Sequence, residues 1–205
     1  MRPIAARLAA LLCLATACAM PEKQSFEAQQ RIQTVQAFRA ARDTGEEATW
    51  RPYLAPDPRI WRGEKEGAGT PWTFIAGRWK DWDTHFRGKS ERVSSWETKG
   101  NRVWAEMFEV NDYFRLIERG GSYWRATYYL DDQERIAGFQ ISPVPGREAP
   151  EGRGEEFRAW ARAEHPEEAE YLMPGGEIDP TGDRAPRMRK LLNEWRGTVG
   201  LDTIE

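Results

Sequence analysis

The sequence predicts an α+β protein in which helices precede an antiparallel sheet. Helical spacing of apolar residues dominates the chain up to about residue 86, and alternation with a period of two dominates residues 91–142. Turns rich in glycine, asparagine and aspartate separate the alternating segments, as expected for consecutive hairpins. Because the helices come first and the strands follow one another, we expect the helices to pack on one face of a single sheet.

Two amphipathic helices are predicted ahead of the sheet. The first covers residues 22–43, whose apolar residues recur at three- and four-residue spacing. The second begins at Thr70 and Pro71, which have the residue types of a helix N-cap and first position. Its stripe consists of Trp72, Ile75, Trp79, Trp82 and Phe86. The simplest interpretation is a stripe facing the core, and the alternative is that it lines a cavity.

A proline-rich passage connects these two helices. Residues 46–54 are predicted as a short helix that ends before Pro56 and Pro58. Residues 59–61 are predicted as a short strand, and residues 63–69 as a polar, glycine-rich loop.

Four strands are predicted to form a meander. They cover residues 91–98, 103–117, 123–130 and 135–142. If Gly120 and Gly121 form a two-residue turn, Tyr113 lies opposite Tyr128. A similar turn at Gly100 and Asn101 places Arg92 opposite Glu109 and Trp96 opposite Ala105. One face then carries Trp96, Glu109, Asn111, Tyr113, Trp124 and Tyr128, and the other Trp104, Glu106, Phe108, Val110, Asp112 and Phe114. Either face is a candidate for the concave side.

A C-terminal extension, residues 150–205, follows the meander. Its helical stripes are Phe157 with Trp160, and Met188 with Leu191, Leu192 and Trp195. These stripes need a surface to cover them, either the sheet or a partner.

The first twenty residues have the pattern of a secretory signal peptide. Arg2 and Arg7 precede a short apolar stretch, residues 8–17. Residues 14–18 resemble a bacterial lipobox, which predicts a leader of residues 1–18 and a lipid on Cys18; the alternative is cleavage before Met20. We expect an exported lipoprotein, periplasmic or anchored to the outer membrane, that meets the membrane only through its lipid.

Composition excludes several classes of function. The net charge is −3, so no large positive field favours nucleic acid as a partner. Two cysteines, both in the leader, and two histidines are too few for a structural zinc site. The chain has no glycine-rich phosphate loop and no metalloprotease or serine-hydrolase motif, so we expect no cofactor and no metal.

Several segments resemble the nuclear transport factor 2-like superfamily, also called SnoaL-like. They are Phe-Arg-Ala-Ala-Arg-Asp at 38–43, Tyr-Leu-Ala-Pro-Asp-Pro-Arg-Ile at 53–60, Glu-Val-Asn-Asp-Tyr at 109–113 and the stretch 128–136. The resemblance covers about residues 25–145 and implies a cone domain, residues 22–146, whose curved sheet wraps around the helices and leaves a pocket. The superfamily includes ketosteroid isomerases, polyketide cyclases, epoxide hydrolases and non-catalytic binding domains. Their catalytic motifs have no secure place in this sequence, so no catalytic residue is transferred.

The leading hypothesis is that the cone binds a small, largely apolar molecule. The alternatives are a cofactor-independent isomerase, cyclase or hydrolase with an acidic base and tyrosine donors, and an assembly lipoprotein. A homodimer through the sheet face is a further possibility. The acid–base candidates are Asp83, His85, Glu106 and Asp112. The pocket candidates are Tyr53, Trp61, Trp79, Trp82, Trp104, Phe108, Tyr113 and Tyr128.

Overall fold

The computed structural model describes residues 25–44, 46–147, 152–179 and 181–204, with the backbone alone over residues 74–79. The predicted leader and its lipidation candidate, Cys18, lie outside the described residues. Within the described ranges, no helix combines the length and apolar character needed to cross a lipid bilayer.

Helices and strands follow one another in the order predicted for an α+β protein. The helices are α1 Phe26–Asp43, α2 Glu47–Trp50, α3 Trp72–His85, α4 Asp112–Leu116, α5 Gly154–Glu164, α6 Pro166–Leu172 and α7 Arg184–Thr198. The strands are β1 Leu54–Arg62, β2 Thr70–Pro71, β3 Gly88–Arg92, β4 Glu97–Lys99, β5 Arg102–Asn111, β6 Ser122–Leu130 and β7 Ile136–Pro143.

All seven strands belong to one curved, mixed sheet. Its order is β2-β1-β7-β6-β5-β3, and β4 also pairs with β5. The strands β5, β6 and β7 form three of the four strands of the predicted antiparallel meander. The predicted strand 91–98 is instead divided between β3 and β4, which both pair with β5. Strand β1 runs parallel to β7. A parallel pair needs a long connection between its two strands. Here the connection contains α3 and strands β2 to β6, which lie between β1 and β7 in the sequence.

Helix α1 forms as its sequence predicts. Ser25 caps its first turn by accepting a hydrogen bond from the amide of Ala28 at 3.2 Å. The predicted stripe is buried, with Ile32, Val35 and Phe38 facing the sheet. The side of the sheet that faces α1 is called the inner face below.

The predicted strand 103–117 is wrong over its last six residues. Strand β5 ends at Asn111, whose side-chain oxygen accepts a hydrogen bond from the amide of Phe114 at 2.8 Å and so caps α4. Alternation cannot reveal this break, since Tyr113 and Leu116 are apolar in either conformation and are buried through tertiary contacts.

The register of the β5–β6 pair also differs from the prediction. Because α4 occupies the place of the predicted tight turn, Glu109 pairs with Ser122 and Val103 with Tyr128. On the other side of β5, Glu109 pairs with Ser90 rather than with Arg92. Both shifts are even numbers of residues, so the predicted faces of β5 and β6 are unchanged.

The passage between α1 and α3 contains more strand than predicted. Helix α2 is one turn long, and β1 begins at Leu54. Thr70 belongs to β2, where it pairs with Ile60, and Pro71 occupies the N-cap position of α3 without a side-chain hydrogen bond. Pairing with β1 therefore overrides the capping preference of Thr70.

Among the residues that the structure describes, the buried apolar side chains form two hydrophobic clusters. The cone core lies between α1 and the inner face and includes Val35, Phe38, Trp72, Val103, Tyr128 and Phe139. The C-terminal cluster joins α4 to α5, α6 and α7 and includes Phe86, Leu116, Phe157, Leu172, Met188 and Trp195. The helical stripes of the extension are thus covered by the chain itself.

Candidate functional site

Aromatic rings fill much of the space between α1 and the inner face. The Phe38 ring packs against Trp72 and Tyr128 at centroid distances of 5.7 and 6.1 Å. Tyr128 also contacts Phe139 at 4.8 Å and Trp96 at 6.2 Å. Beyond these rings, the inner face continues towards the end of β5 with Glu109 and Asn111.

A group of charged and polar side chains lies at that end of β5. We call it the polar cluster, and it consists of Arg42, Arg62, Asp83, Glu109 and Asn111. Arg42 comes from the last turn of α1 and approaches Asp83 of α3 at 4.0 Å. Glu109 and Asn111 follow the buried residues of the inner face of β5.

Asn111 fixes the position of Glu109. Its amide nitrogen donates to the Glu109 carboxylate at 2.8 Å, while its oxygen caps α4. Asn111 is 2% exposed, and its partner in β3 is Gly88. A Cβ atom added at Gly88 would lie only 2.6 Å from the Cβ of Asn111. The absence of a side chain at Gly88 thus allows β3 to hold Asn111 and, through it, the carboxyl group.

The environment of Glu109 favours its neutral form. Burial raises the pKa of Glu109, and the nearby carboxylate of Asp83 raises it further. The hydrogen bond from Asn111 and the charges of Arg42 and Arg62 oppose this rise in the Glu109 pKa without cancelling it. A half-buried carboxyl group with a raised pKa can accept or donate a proton closer to neutral pH than an ordinary glutamate.

Trp124 adds an unused hydrogen-bond donor to the same face. It pairs with Met107, diagonally adjacent to Glu109, and its ring packs edge-on against Phe139 at 6.2 Å. Its indole Nε1 is buried and has no hydrogen-bond partner among the described residues. Trp195 shares this property, but its indole is 0% exposed within the C-terminal cluster, where a ligand has no path to it.

Three of the acid–base candidates come from α3 and α4. Asp83 lies in the polar cluster, with 64% of its side chain exposed. His85 ends α3, and its backbone oxygen accepts a hydrogen bond from Arg189 at 2.7 Å. Asp112 is paired with Arg189 at 3.1 Å and with Arg115 at 3.2 Å, so α7 holds it in a structural contact.

The fourth acid–base candidate and two pocket candidates lie on the outer face of the sheet. Glu106 stands 3.7 Å from Arg125 and 3.7 Å from Arg147. Trp104 and Phe108 alternate with it along β5 and are half-buried. They are therefore on the side opposite α1 and the polar cluster.

The remaining pocket candidates are divided among several places. Tyr128 is buried in the cone core with its hydroxyl 3.1 Å from Arg39, and Tyr53 packs against that core. Trp82 and Tyr113 belong to the C-terminal cluster. Trp61 lines two open grooves of about 610 Å³ each outside the cone core. The side chain of Trp79 lies outside the described part of the chain.

The list of candidates omits most of the polar cluster and also the neighbouring Trp124. Arg42, Arg62 and Trp124 come from three different elements, so no local spacing connects them. The sequence did contain a signal for Glu109. It is a charged residue at a position that alternation places on the same face of β5 as the apolar Val103 and Met107. Among the described residues, no three His, Cys, Asp or Glu side chains are grouped so as to hold a metal ion.

Comparisons with known proteins give structural likeness without sequence likeness. No protein-family model matches the chain, and no curated protein matches its sequence. A solved structure from Mycobacterium tuberculosis is 10% identical, covers 57% of this chain and 92% of its own, and has a TM-score of 0.44. An NTF2-like protein from Burkholderia xenovorans LB400 is 12% identical, with coverages of 56% and 88% and a TM-score of 0.42. An epoxide hydrolase of the LEH-like type from M. tuberculosis is 15% identical, with coverages of 57% and 84% and a TM-score of 0.43.

These likenesses concern the fold alone and assign no activity to the chain. The described elements give the architecture independently: a long first helix, a crossing helix and a curved sheet that ends in a meander. The chain thus has an α+β architecture in which helices pack on one face of a curved, mixed sheet, and its membership of the nuclear transport factor 2-like superfamily stays a prediction from its motifs.

Proposed function

We propose that this protein binds a small, largely apolar molecule on the inner face of the sheet, between Trp124 and the polar cluster. The observation that carries the proposal is the buried Nε1 of Trp124, which lacks a partner in the described structure. An unpaired buried donor costs about 1–3 kcal/mol. A ligand oxygen that accepts this hydrogen bond removes that cost, and this gain would favour the bound state.

The surroundings of Trp124 restrict the chemistry of the ligand. The partly buried Ile141 offers apolar surface on the same side of the sheet as Trp124, above the fully buried Met107. The polar cluster holds two carboxyl groups and two guanidinium groups, whose charges nearly balance. An uncharged molecule with an apolar body and one oxygen acceptor fits this combination better than an ion.

Retention of small molecules tests the proposal. The purified protein is incubated with a lipid-soluble cell extract and examined by native mass spectrometry. We expect a retained molecule in the wild type and at least a fivefold loss of occupancy in Trp124→Phe, which keeps the ring and removes the N–H.

A matched control distinguishes this donor from tryptophans in general. Trp104 is also half-buried in β5 but faces the outer side, so Trp104→Phe should retain the molecule as the wild type does. The proposal is wrong if no molecule is retained, or if Trp124→Phe and Trp104→Phe behave alike.

Glu109 supports a second candidate function, cofactor-independent proton transfer. Its pKa is raised by burial, and it shares the inner face with the proposed ligand. In this reaction Glu109 removes a proton from a carbon next to a carbonyl group and returns it to the same or a neighbouring atom. The retained molecule, incubated in heavy water, should then gain deuterium on carbon. Glu109→Gln should stop this exchange while occupancy is preserved, and exchange that persists in Glu109→Gln excludes this role.

The export of the chain is a separate part of the proposal. The residues that support it are the basic start, the apolar stretch 8–17 and the lipobox-like segment that ends at Cys18. We propose a lipid-anchored protein in the bacterial envelope. Metabolic labelling with a palmitate analogue should mark the wild type and leave Cys18→Ala unlabelled; equal labelling of both proteins overturns the anchor.

Self-association through the outer face of the sheet is the last part of the proposal. That face presents Trp104, Phe108 and Tyr123, which are half-buried. Light scattering during gel filtration should give twice the monomer mass for the wild type and the monomer mass for Phe108→Lys. A monomeric wild type at high concentration rules out the dimer.

A further inference from the structure

The loop between β1 and β2 closes over an aromatic pair on the outside of the sheet. The rings of Trp61 and Tyr129 meet edge to face at 5.9 Å. The Nζ of Lys65 lies 3.9 Å from the centre of the Tyr129 ring and 4.8 Å from that of Trp61. Two rings around one ammonium group form a cation site, and the protein's own lysine occupies it here.

Two glycines next to this pair leave the space that the Trp61 ring occupies. A side chain at Gly138 of β7 would meet the Trp61 ring at 2.5 Å, and one at Gly69 would meet it at 2.7 Å. The indole thus fits between two positions without side chains. The hydroxyl of Tyr129 donates to Gln140 at 2.5 Å, which fixes the second ring. The rings are therefore preorganised by contacts that do not involve Lys65.

The loop that carries Lys65 is anchored at its base and loosely attached at its tip. Gly63 donates to the backbone oxygen of Ile141 at 2.8 Å and accepts from Gln140 at 2.7 Å. At the tip, the contact with Trp61 is a long hydrogen bond from Nε1 to the oxygen of Gly67, at 3.4 Å. Gly63 and Gly67 both have positive φ, and no atom lies within 4 Å of where their side chains would be. Lys65 can therefore leave the rings without disturbing the sheet.

The groove next to the rings, about 610 Å³ in volume, also contains an unused cation. Arg102 lies opposite Tyr129 in the β5–β6 pair and forms no ion pair with any residue that the structure describes. Arg102 is exposed on the same side as the rings. A ligand that reaches both features needs a positive group for the rings and a negative group for the guanidinium.

We propose that this outer groove binds a zwitterion in which an organic ammonium group replaces Lys65 over Trp61 and Tyr129 and an attached anionic group pairs with Arg102. The site is separate from the inner face of the sheet, and it stands whether or not the inner face binds a ligand. Lys65 acts as an internal competitor that lowers the affinity for the ligand.

Titration calorimetry on the full chain tests the site with three probes: phosphocholine, choline and inorganic phosphate. Removing the competitor in Lys65→Ala should tighten phosphocholine binding about fivefold to tenfold relative to wild type. Choline should bind this variant more weakly than phosphocholine, and phosphate alone should not bind. Lys80→Ala removes an equal charge from the exposed side of α3 and should leave the affinity at the wild-type level.

Three further variants separate the two halves of the site in the Lys65→Ala background. Arg102→Ala should reduce phosphocholine affinity to that of choline and leave choline unchanged. Tyr129→Phe keeps the ring but removes its hydrogen bond to Gln140, so it should weaken both affinities only slightly. Trp61→Leu should abolish both in a protein whose circular dichroism remains native. The proposal is overturned if Lys65→Ala binds phosphocholine no more tightly than wild type, if phosphate binds as well as phosphocholine, or if Arg102→Ala changes nothing.

Discussion

The cone core and the C-terminal cluster use their buried polar groups differently. In the C-terminal cluster, Arg196 is 6% exposed and donates to the backbone oxygens of Leu116 at 2.8 Å and Asp202 at 2.6 Å. Next to the cone core, Glu109 stays half-buried with a raised pKa, and the Nε1 of Trp124 has no partner in the described structure. The C-terminal cluster thus uses buried charge to join elements, and its own unpartnered donor, the Nε1 of Trp195, belongs to a side chain that is 0% exposed. Next to the cone core, by contrast, Glu109 and Trp124 are only partly buried.

This difference indicates where each region acts. The buried Arg196 of α7 donates to backbone oxygens of α4 and fixes α4 against α7, so the extension stabilises the end of the meander. Buried polar groups without a hydrogen-bond partner, and buried carboxyl groups with a raised pKa, lower the stability of the fold. Groups of this kind cluster at sites that contact a ligand. We therefore assign stability to the C-terminal cluster, and the same difference supports the ligand contact proposed for the inner face.

The largest expected effect concerns the C-terminal cluster. Phe157 is 0% exposed and packs against Trp195 at 5.7 Å, so Phe157→Ala should lower the free energy of unfolding by about 3–5 kcal/mol. Urea denaturation measures this loss. Phe26→Ala is the control, since Phe26 is 82% exposed, and should change stability by no more than about 0.5 kcal/mol. A small loss in Phe157→Ala would mean that the cluster does not unfold together with the cone.

The next effect tests the buried arginine. Arg196→Met preserves most of the side-chain volume but leaves the oxygens of Leu116 and Asp202 without their donor, which should cost about 1.5–3 kcal/mol in the same assay. Arg187 pairs with Glu168 at the surface, so Arg187→Met should cost about 0–1 kcal/mol. Equal losses in the two variants would contradict the structural role of Arg196.

The next prediction concerns the inner face and is a pH dependence of the free energy of unfolding. The pKa of Glu109 is raised above its ordinary value of 4.5, so its contribution to stability is complete below pH 4.5 and is lost as the pH rises through the native pKa. Glu109→Gln removes this loss, and its stability relative to wild type should therefore increase as the pH rises above 4.5.

Asp131 provides a control of opposite sign for that titration. Although burial raises its pKa, hydrogen bonds from Arg135 and from the amide of Gln133 lower the Asp131 pKa overall. Its stabilisation is present above its ordinary value and is lost as the pH falls through the native pKa. Asp131→Asn should accordingly become less stable than wild type as the pH rises. Parallel slopes for the Glu109 and Asp131 variants would refute the assignment of Glu109.

The smallest effect tests how the cone holds its first helix. Arg31 of α1 contacts Glu134 at 2.8 Å and the backbone oxygen of Gly100 at 2.7 Å, at the ends of two hairpins. Because Arg31 and Glu134 are 22% and 32% exposed, Arg31→Met should cost about 1 kcal/mol or less by urea denaturation. A loss as large as that of Arg196→Met would show that the two regions do not differ in how they use arginine.

The elements that the sequence predicted well are those specified by neighbouring residues. Helix α1 has its own cap at Ser25 and its own stripe, and it ends at Asp43 as predicted. Alternation along β5 separated Glu109 from Glu106 correctly. Helix α4 could not be predicted in this way, since its five residues are too few for periodicity and are held by contacts with α7.

The sequence by itself determined the α+β class, the first helix and the two alternating faces of the meander, because these patterns depend on residues a few positions apart. Only the tertiary structure decided which face is the inner one, since that depends on where α1 packs. It also decided that Arg42, Asp83 and Glu109 meet, although they come from three separate elements. Periodicity shows which side of a strand a residue occupies, whereas a site depends on long-range packing that no local pattern encodes.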